Sequence, residues 1–164
     1  GYHTCLRNMD LGFESLRDHH LIMKEMNYRL FSSKDKQSVL ELWKTCNLIV
    51  SWNDPEKDIL RKLSVRDDLF ILAEINKKII ATAMGGYDGH RGYIYYLAVL
   101  PEFQKKGVGS KILSVVEKKL LKIGCPKINL FVRNTNIQVK SFYKKNQYTF
   151  QESEIYGKRL ILDN

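Results

Sequence analysis

The stretch from Tyr93 to Val132 constrains the fold more than any other part of this sequence. Tyr93–Leu100 (YIYYLAVL) is a continuous run of aromatic and aliphatic residues, the composition of a central strand covered on both faces rather than a half-exposed edge. Pro101 ends it, since proline brings no N–H to a ladder. From Gly107 to Ile123, the apolar residues Ile112, Leu113, Val116, Leu120 and Ile123 recur at helical spacing, with Lys111, Lys118, Lys119 and Lys122 on other faces. Gly124 and Pro126 stop this helix, and Ile128–Val132 is again strand-like. Strand, helix and strand in this order form a crossover, which places the strands parallel with the helix packed across the sheet. The prediction is a mixed α/β fold.

The flanking sequence adds further elements. Tyr28–Phe31 reads as a short strand, and Ser32 is placed to cap a helix through Val39, Leu40, Leu42 and Trp43. In Ser51-Trp52-Asn53-Asp54-Pro55, Asp54 stands at an N-cap with Pro55 in the first helical position, followed by Ile59, Leu60 and Leu63 at helical spacing. Leu69–Ile75 and Ile79–Met84, parted by Asn76-Lys77, predict a hairpin, and Gly85–Gly92 is turn chemistry. Val139–Lys145 predicts a helix, and Tyr148–Gln151 and Lys158–Leu162 two final strands. At 164 residues one domain is expected. Residues 1–26 have weak periodicity and are set apart as an N-terminal extension, leaving 27–164 as the domain.

Composition removes several classes of function. With 44% hydrophobic and 27% charged residues the chain buries a real core, which excludes disorder as its main state. Apolar stretches such as Leu48-Ile49-Val50 fall far short of the ~18 residues a membrane span needs. Arg7, Asp10, Glu14, Arg17 and Asp18 interrupt every early window that a signal peptide would require, so a cytoplasmic protein is expected. Cys5, Cys46 and Cys125 are odd in number and far apart, fitting neither a disulfide framework nor a CxxC pair. His3, His19, His20 and His90 include no HExxH or HxxxH pair, and no metal is expected. A formal charge of +9 makes a polyanion a candidate partner, against the alternative that lysine-rich faces serve solubility.

The chemistry concentrates where the central strand runs into the helix. Gly107 and Gly109 precede a helix N-terminus, where free backbone N–H groups converge at the positive end of the helix dipole. Such a site favours a pyrophosphate, approached closely at the glycines, with Lys105, Lys106 and Lys111 adding positive charge. A Walker A loop is absent, and Ile112 stands where a dinucleotide fingerprint needs its third glycine.

Gln104-x-x-Gly107-x-Gly109, preceded by Leu97-Ala98-Val99-x-Pro101, resembles motif A of the GNAT superfamily of N-acetyltransferases. Asn136-x-x-Val139-x-x-Phe142-Tyr143 is similar to a second block of that family. Trp52-Asn53-Asp54-Pro55, the Gly85–Gly92 turn, Gly124–Ile128 and Gly157–Ile161 resemble its small bacterial YpeA-type branch; the likeness covers roughly residues 27–164. The resemblance implies a three-layer fold with a mixed, mostly antiparallel central sheet, splayed between its fourth and fifth strands, and helices on both faces. It implies acetyl-CoA as co-substrate, with no metal, and attack by an amine in a ternary complex. Leu97, Ala98 and Val99 would pair with pantetheine, and the N–H near Val99 would polarise the thioester carbonyl. Backbone N–H groups from Gln104 through Lys105, Lys106, Gly107, Val108 and Gly109 to Ser110 would hold the pyrophosphate, with Asn136 also at the cofactor. Tyr143 would protonate the departing thiolate; the plain structural alternative is a core aromatic beside Phe142. Two departures stand out: Val139 replaces Ala, and Gln147 precedes Tyr148 where the family carries Gly. A left-handed helix exit is strained with Gln, so a local change in that turn is expected.

An amine acceptor must lose a proton: at a lysine-like pKa of ~10.4, about one molecule in 10³ is neutral near pH 7.4. Asp88, His90, Tyr95, Tyr96 and water are the candidate bases, while Asp88 and Arg91 could instead pair to fix the turn. Trp43, Trp52, Tyr87 and Tyr96 are the expected pocket walls, with Asp54 or Asp88 suited to a cationic acceptor and Arg91 to an anionic one. The rivals are a nucleic-acid or ribosome-binding module using the lysine faces, and a CoA-binding protein without turnover. A monomer or homodimer without membrane attachment is expected.

Overall fold

Consecutive antiparallel pairings build the sheet inward from one edge, and the predicted crossover completes it. The computed structural model describes residues 16–163. Its strands are β1 (Asn27–Leu30), β2 (Phe70–Ile75), β3 (Lys78–Tyr87), β4 (Gly92–Val99) and β5 (Ile128–Asn129), in the spatial order β1-β2-β3-β4-β5. Its helices are α1 (Leu16–Glu25), α2 (Lys36–Thr45), α3 (Pro55–Val65), α4 (Val108–Lys122) and α5 (Ile137–Lys145). β1 through β4 pair antiparallel, and β4 pairs parallel with β5. The turn between β2 and β3 places Asn76 at φ 49° and Lys77 at φ 65°, the left-handed pair that a tight hairpin requires. Asp54 caps α3 as expected, its carboxylate accepting from the N–H groups of Glu56 and Lys57 at 2.9 and 3.1 Å.

Helices cover both faces. A Cβ on Gly85 of β3 would lie 2.8 Å from Val116 of α4, so that face of β3 carries α4. The opposite face carries α2, whose Trp43 indole N–H donates to Thr82 Oγ1 at 2.9 Å. Ile112, Leu113, Val116 and Leu120 of α4 and Val39, Leu42 and Trp43 of α2 are buried, closing the three layers.

A bulge in β4 sets up everything that follows. Thr82 of β3 pairs with Ala98, yet Met84 pairs with Tyr95, so β4 holds one extra residue. Tyr96 takes up the excess at φ 48°. Side-chain parity changes there: Gly92 faces α4 before the bulge and Val99 does so after it. Tyr93, Tyr95 and Tyr96 consequently share the opposite face. Beyond Tyr93↔Asn129 the β4–β5 ladder stops, leaving the strands splayed.

Several expectations change. α1 folds where only an extension was foreseen, and its Ile22 and Met23 pack against the core. β5 spans Ile128–Asn129 rather than reaching Val132, its pairing with β4 ending at Tyr93↔Asn129. The expected strands at Tyr148–Gln151 and Lys158–Leu162 are not formed: Phe150, Leu160, Ile161 and Leu162 are exposed, and a strand needs a ladder as well as an apolar pattern. Among the described residues no helix is long and apolar enough to cross a membrane. His3 and Cys5 lie outside the described residues, as do the side chains of His19 and His20.

Candidate functional site

A short 3-10 turn, Pro101–Phe103, leads from β4 into the glycine loop. Lys105 and Gly107 adopt left-handed φ values of 59° and 78°, turning the backbone into α4. The N–H of Lys111 closes onto Gly107 O at 3.0 Å, so the N–H groups of Val108, Gly109 and Ser110 precede the first intrahelical bond and open outward. No acidic residue stands in this first turn. Lys105 and Lys111 are exposed, and the Lys106 ammonium lies 6.0 Å from the Phe103 ring centroid. The arrangement suits a pyrophosphate.

Two details differ from the sequence expectation. The backbone N–H of Gln104 is already engaged with Pro101 O at 3.2 Å, which removes it from the anion-binding set. Gly109 is small for a different reason than ligand approach: a Cβ there would sit 3.2 Å from Phe142 Cε2 of α5. Glycine at 109 therefore allows α4 and α5 to pack, whereas glycine at 107 serves the left-handed turn.

Leu97, Ala98 and Val99 have buried side chains; Ala98 turns its backbone groups to Thr82 of β3, and Val99 turns its own the other way, toward the splay. Asn136 is the N-cap of α5, its side-chain oxygen accepting from the Val139 N–H at 3.2 Å. Tyr143 is buried on that helix, edge-on to both Phe142 and Tyr148 with ring centroids 5.1 and 5.5 Å away. Gln147 adopts the left-handed conformation at φ 67°, so the helix exit is left-handed even without glycine. Tyr148 anchors this exit: its N–H bonds Tyr143 O at 3.0 Å and its hydroxyl donates to Glu117 at 2.7 Å. Burial, then the hydrogen bond its hydroxyl donates to Glu117, pushes the Tyr148 phenol far above its ordinary value.

A cavity of about 580 Å³ lies on the tyrosine face, lined by Tyr87, Tyr93, Tyr95 and Tyr96 together with Asp58, Arg61, Lys62, Asp67 and Asp88. Every one of those charges has a partner within the chain. Asp58 accepts from the Tyr96 hydroxyl at 2.6 Å and from Arg61 at 3.2 Å, and Arg61 also grips Asp163 at 2.5 and 3.0 Å. Lys62 is buried and donates to Asp67 at 2.6 Å and to Gly85 O. Burial, then the bond to Asp58, raises the Tyr96 phenol far above its ordinary value, in keeping with its hydroxyl donating to Asp58.

The turn resolves the expected alternatives at Asp88. Its carboxylate accepts from the backbone N–H groups of His90 and Arg91 at 2.7 and 2.6 Å, and these bonds hold its pKa below the usual value. The Arg91 guanidinium reaches His90 O instead, at 2.8 Å, so the fixing contact is side chain to backbone. His90 is exposed. Of the expected walls, Tyr87 and Tyr96 line the cavity. Trp43 is fully buried beneath Tyr96, stacked at 3.9 Å between centroids, and exposed Trp52 lies under the Arg133 guanidinium at 5.5 Å. Asp54 is occupied as the α3 cap. Asp58, Lys62 and Tyr93 carried no sequence signal, because the bulge and the packing of α3 bring them together.

The model of the acetyltransferase (GNAT) family matches residues 36–148. An acetyltransferase of Pectobacterium atrosepticum is 48% identical over 138 residues, covering 84% of this chain and 98% of that protein. Among solved structures, Ard1 from Thermoplasma volcanium aligns with a TM-score of 0.69 at 23% identity, over 77% of this chain and 84% of its own. The structure of AAC(6')-Iy in complex with the bisubstrate analogue CoA-S-monomethyl-acetylneamine aligns with a TM-score of 0.67 at 16% identity, over 83% and 99%. The last two agree in fold; the family model spans most of the chain and the bacterial relative is nearly half identical across it, and the chain belongs to the GNAT family of acetyltransferases.

Proposed function

We propose that this acetyltransferase draws its acetyl group from acetyl-CoA and transfers it to a primary amine, of a small molecule or of a protein, by direct attack while both are bound. The observation that carries this reading is the splay of β4 from β5: β4 pairs with β5 only at Gly92 and Tyr93, carries Tyr93, Tyr95 and Tyr96 of the cavity, and leads at its other end into the glycine loop before α4. Acetyl-CoA supplies a thioester, whose carbonyl carbon is open to an amine. The residues present fit it. The N–H groups of Val108, Gly109 and Ser110 hold pyrophosphate, with Lys105, Lys106 and Lys111 adding charge and Gly107 setting the turn. Along the segment Leu97-Ala98-Val99, the backbone of Leu97 and Val99 faces the pantetheine arm while that of Ala98 holds the strand to β3. A backbone N–H near Val99 donates to the carbonyl where negative charge develops. Asn136 fixes the start of α5, and Tyr143 on that helix holds the proton for the leaving sulfur.

Calorimetric titration with acetyl-CoA, with CoA and ATP as controls, tests the site. Gly107→Glu places a carboxylate and a strained left-handed residue where the anion docks, and is expected to abolish acetyl-CoA binding. A folded wild-type chain that binds no acetyl-CoA overturns the proposal. On an amine panel, Tyr143→Phe is expected to slow transfer by about 10²–10⁴-fold while leaving the protein folded. Unchanged turnover across pH removes Tyr143 from the chemistry.

A further inference from the structure

Charge is spread unevenly over this chain. Residues 103–150, which hold α4 and α5, contain eleven Lys and Arg and a single acidic residue, Glu117, so they carry more than the whole net charge of +9. The remainder is slightly acidic, and every residue lining the tyrosine cavity comes from it. The two cations of the lining are engaged within the chain: Arg61 with Asp163 and Asp58, and buried Lys62 with Asp67 and Gly85 O. A carboxylate or phosphate entering the cavity would have to displace those partners. Carboxylates are in excess, since Asp58, Asp67, Asp88 and Asp163 stand against Arg61 and Lys62 alone. Four tyrosines complete the wall, and both the ring faces and the hydroxyl oxygens of tyrosine attract a cation.

Asp88 differs from the other three carboxylates in being held by backbone N–H groups and not by a cation. Its bonds from His90 and Arg91 both end on Oδ1, while the Arg91 guanidinium goes to His90 O. The turn thus fixes the carboxylate at the exposed rim of the cavity with its side chain already ordered, which lowers the cost of binding a ligand there. We propose that the acceptor is a small amine bearing at least one further positive charge, an alkyl diamine or polyamine, and that Asp88 is the specificity-determining residue that meets this second charge. The proposal rests on the acetyl-CoA reading above. A cavity of about 580 Å³ has the size of a small-molecule site. The reacting nitrogen bonds the thioester carbonyl carbon as the C–S bond breaks; of the two protons the ammonium loses, one goes to the sulfur and one to solvent. The second ammonium keeps its charge throughout.

The test is the initial rate of CoA release with matched acceptors: the terminal diamines of three, four and five carbons, butylamine, and aminobutanoate. In the wild type, kcat/KM for the best diamine is expected to exceed that for butylamine by about tenfold or more, with aminobutanoate poorest and the gap narrowing as salt is raised. Asp88→Asn keeps an Oδ1 for both turn bonds and removes only the charge, and is expected to lower the diamine-to-monoamine ratio by about threefold to tenfold. Glu56→Gln removes an acid of α3 that pairs with Lys36 outside the cavity, and is expected to leave that ratio as it is. A wild type that uses butylamine or aminobutanoate as well as every diamine overturns the proposal, as does one that binds acetyl-CoA and acetylates no diamine. A folded Asp88→Asn variant with the wild-type ratio, or an equal loss in Glu56→Gln, overturns the role of Asp88. If Asp88→Asn fails to fold, the wild-type ratios and their salt dependence decide. In all these cases the wild type still binds acetyl-CoA; a folded chain that binds none overturns the acetyl-CoA reading and the acceptor class with it.

Discussion

Thr82→Val exchanges a hydroxyl for a methyl at nearly constant shape, so it cuts a hydrogen-bond relay without opening a cavity. Thr82 is fully buried; its Oγ1 accepts from Trp43 Nε1 at 2.9 Å and donates to the carbonyl of Tyr96, the bulge residue, at 2.8 Å. The variant deprives both groups of this partner inside the core. Each of the two buried orphans costs about 1–3 kcal/mol, and the added methyl returns about 1 kcal/mol, for a net loss of roughly 1–5 kcal/mol. A loss near 3 kcal/mol lowers the melting temperature of a domain this size by about 10 °C. Thr82→Ser keeps the relay and removes only a methyl, with an expected loss of about 1 kcal/mol. The assay is thermal and urea unfolding of both variants, followed in the near-ultraviolet, where the Trp43–Tyr96 stack contributes. A valine variant as stable as the serine variant, or more so, refutes the claim that the relay holds the bulge.

Gln147→Gly relieves a left-handed residue at φ 67° and is expected to stabilise by about 1 kcal/mol; a lower melting temperature would contradict the strain at this exit. Gly109→Ala drives a Cβ to within 3.2 Å of Phe142 Cε2 and is expected to destabilise by about 1–3 kcal/mol, with Phe142→Leu recovering part of the loss in the same chain; strict additivity in that double-mutant cycle would exclude the contact as the cause. The Arg91 and His90 backbone N–H groups depress the Asp88 carboxyl below its ordinary 3.8, so its contribution to stability is complete above the unfolded value and is lost as pH falls through the folded one. Asp88→Ala should therefore flatten the acid limb of melting temperature against pH below about 4, and an unchanged acid limb counts against the turn.

The parts of the fold that were legible are those encoded over a few neighbouring residues. Asp54-Pro55 specifies a helix start because the cap bonds run two and three residues forward. Asn76-Lys77 between β-rich runs specifies the hairpin, and the amphipathic α4 between two strands specifies the crossover and with it the parallel pair. The anion site at the head of α4 follows from the same local pattern. Other features misled for identifiable reasons. Tyr148–Gln151 and Lys158–Leu162 have strand composition, but composition does not supply a partner edge. Gln147 argued for an altered turn, yet Tyr148, bonded to Glu117 and packed on Tyr143, holds the exit in its left-handed form.

Local pattern thus determined the order of elements, the sheet class and the glycine-loop helix start, since helix caps, tight turns and side-chain periodicity are satisfied within about four residues. Tertiary structure decided what the site offers to its ligands. The bulge at Tyr96 depends on the register of β4 against β3, and it is this register that gathers Tyr93, Tyr95 and Tyr96 on one face, where they line a cavity with Asp58. Arg61 of that cavity is engaged by Asp163, which only the path of the chain's end back to α3 brings near. Such contacts arise between segments far apart in the chain, where no local spacing records them, because their geometry is set by how whole elements pack and not by the residues alongside.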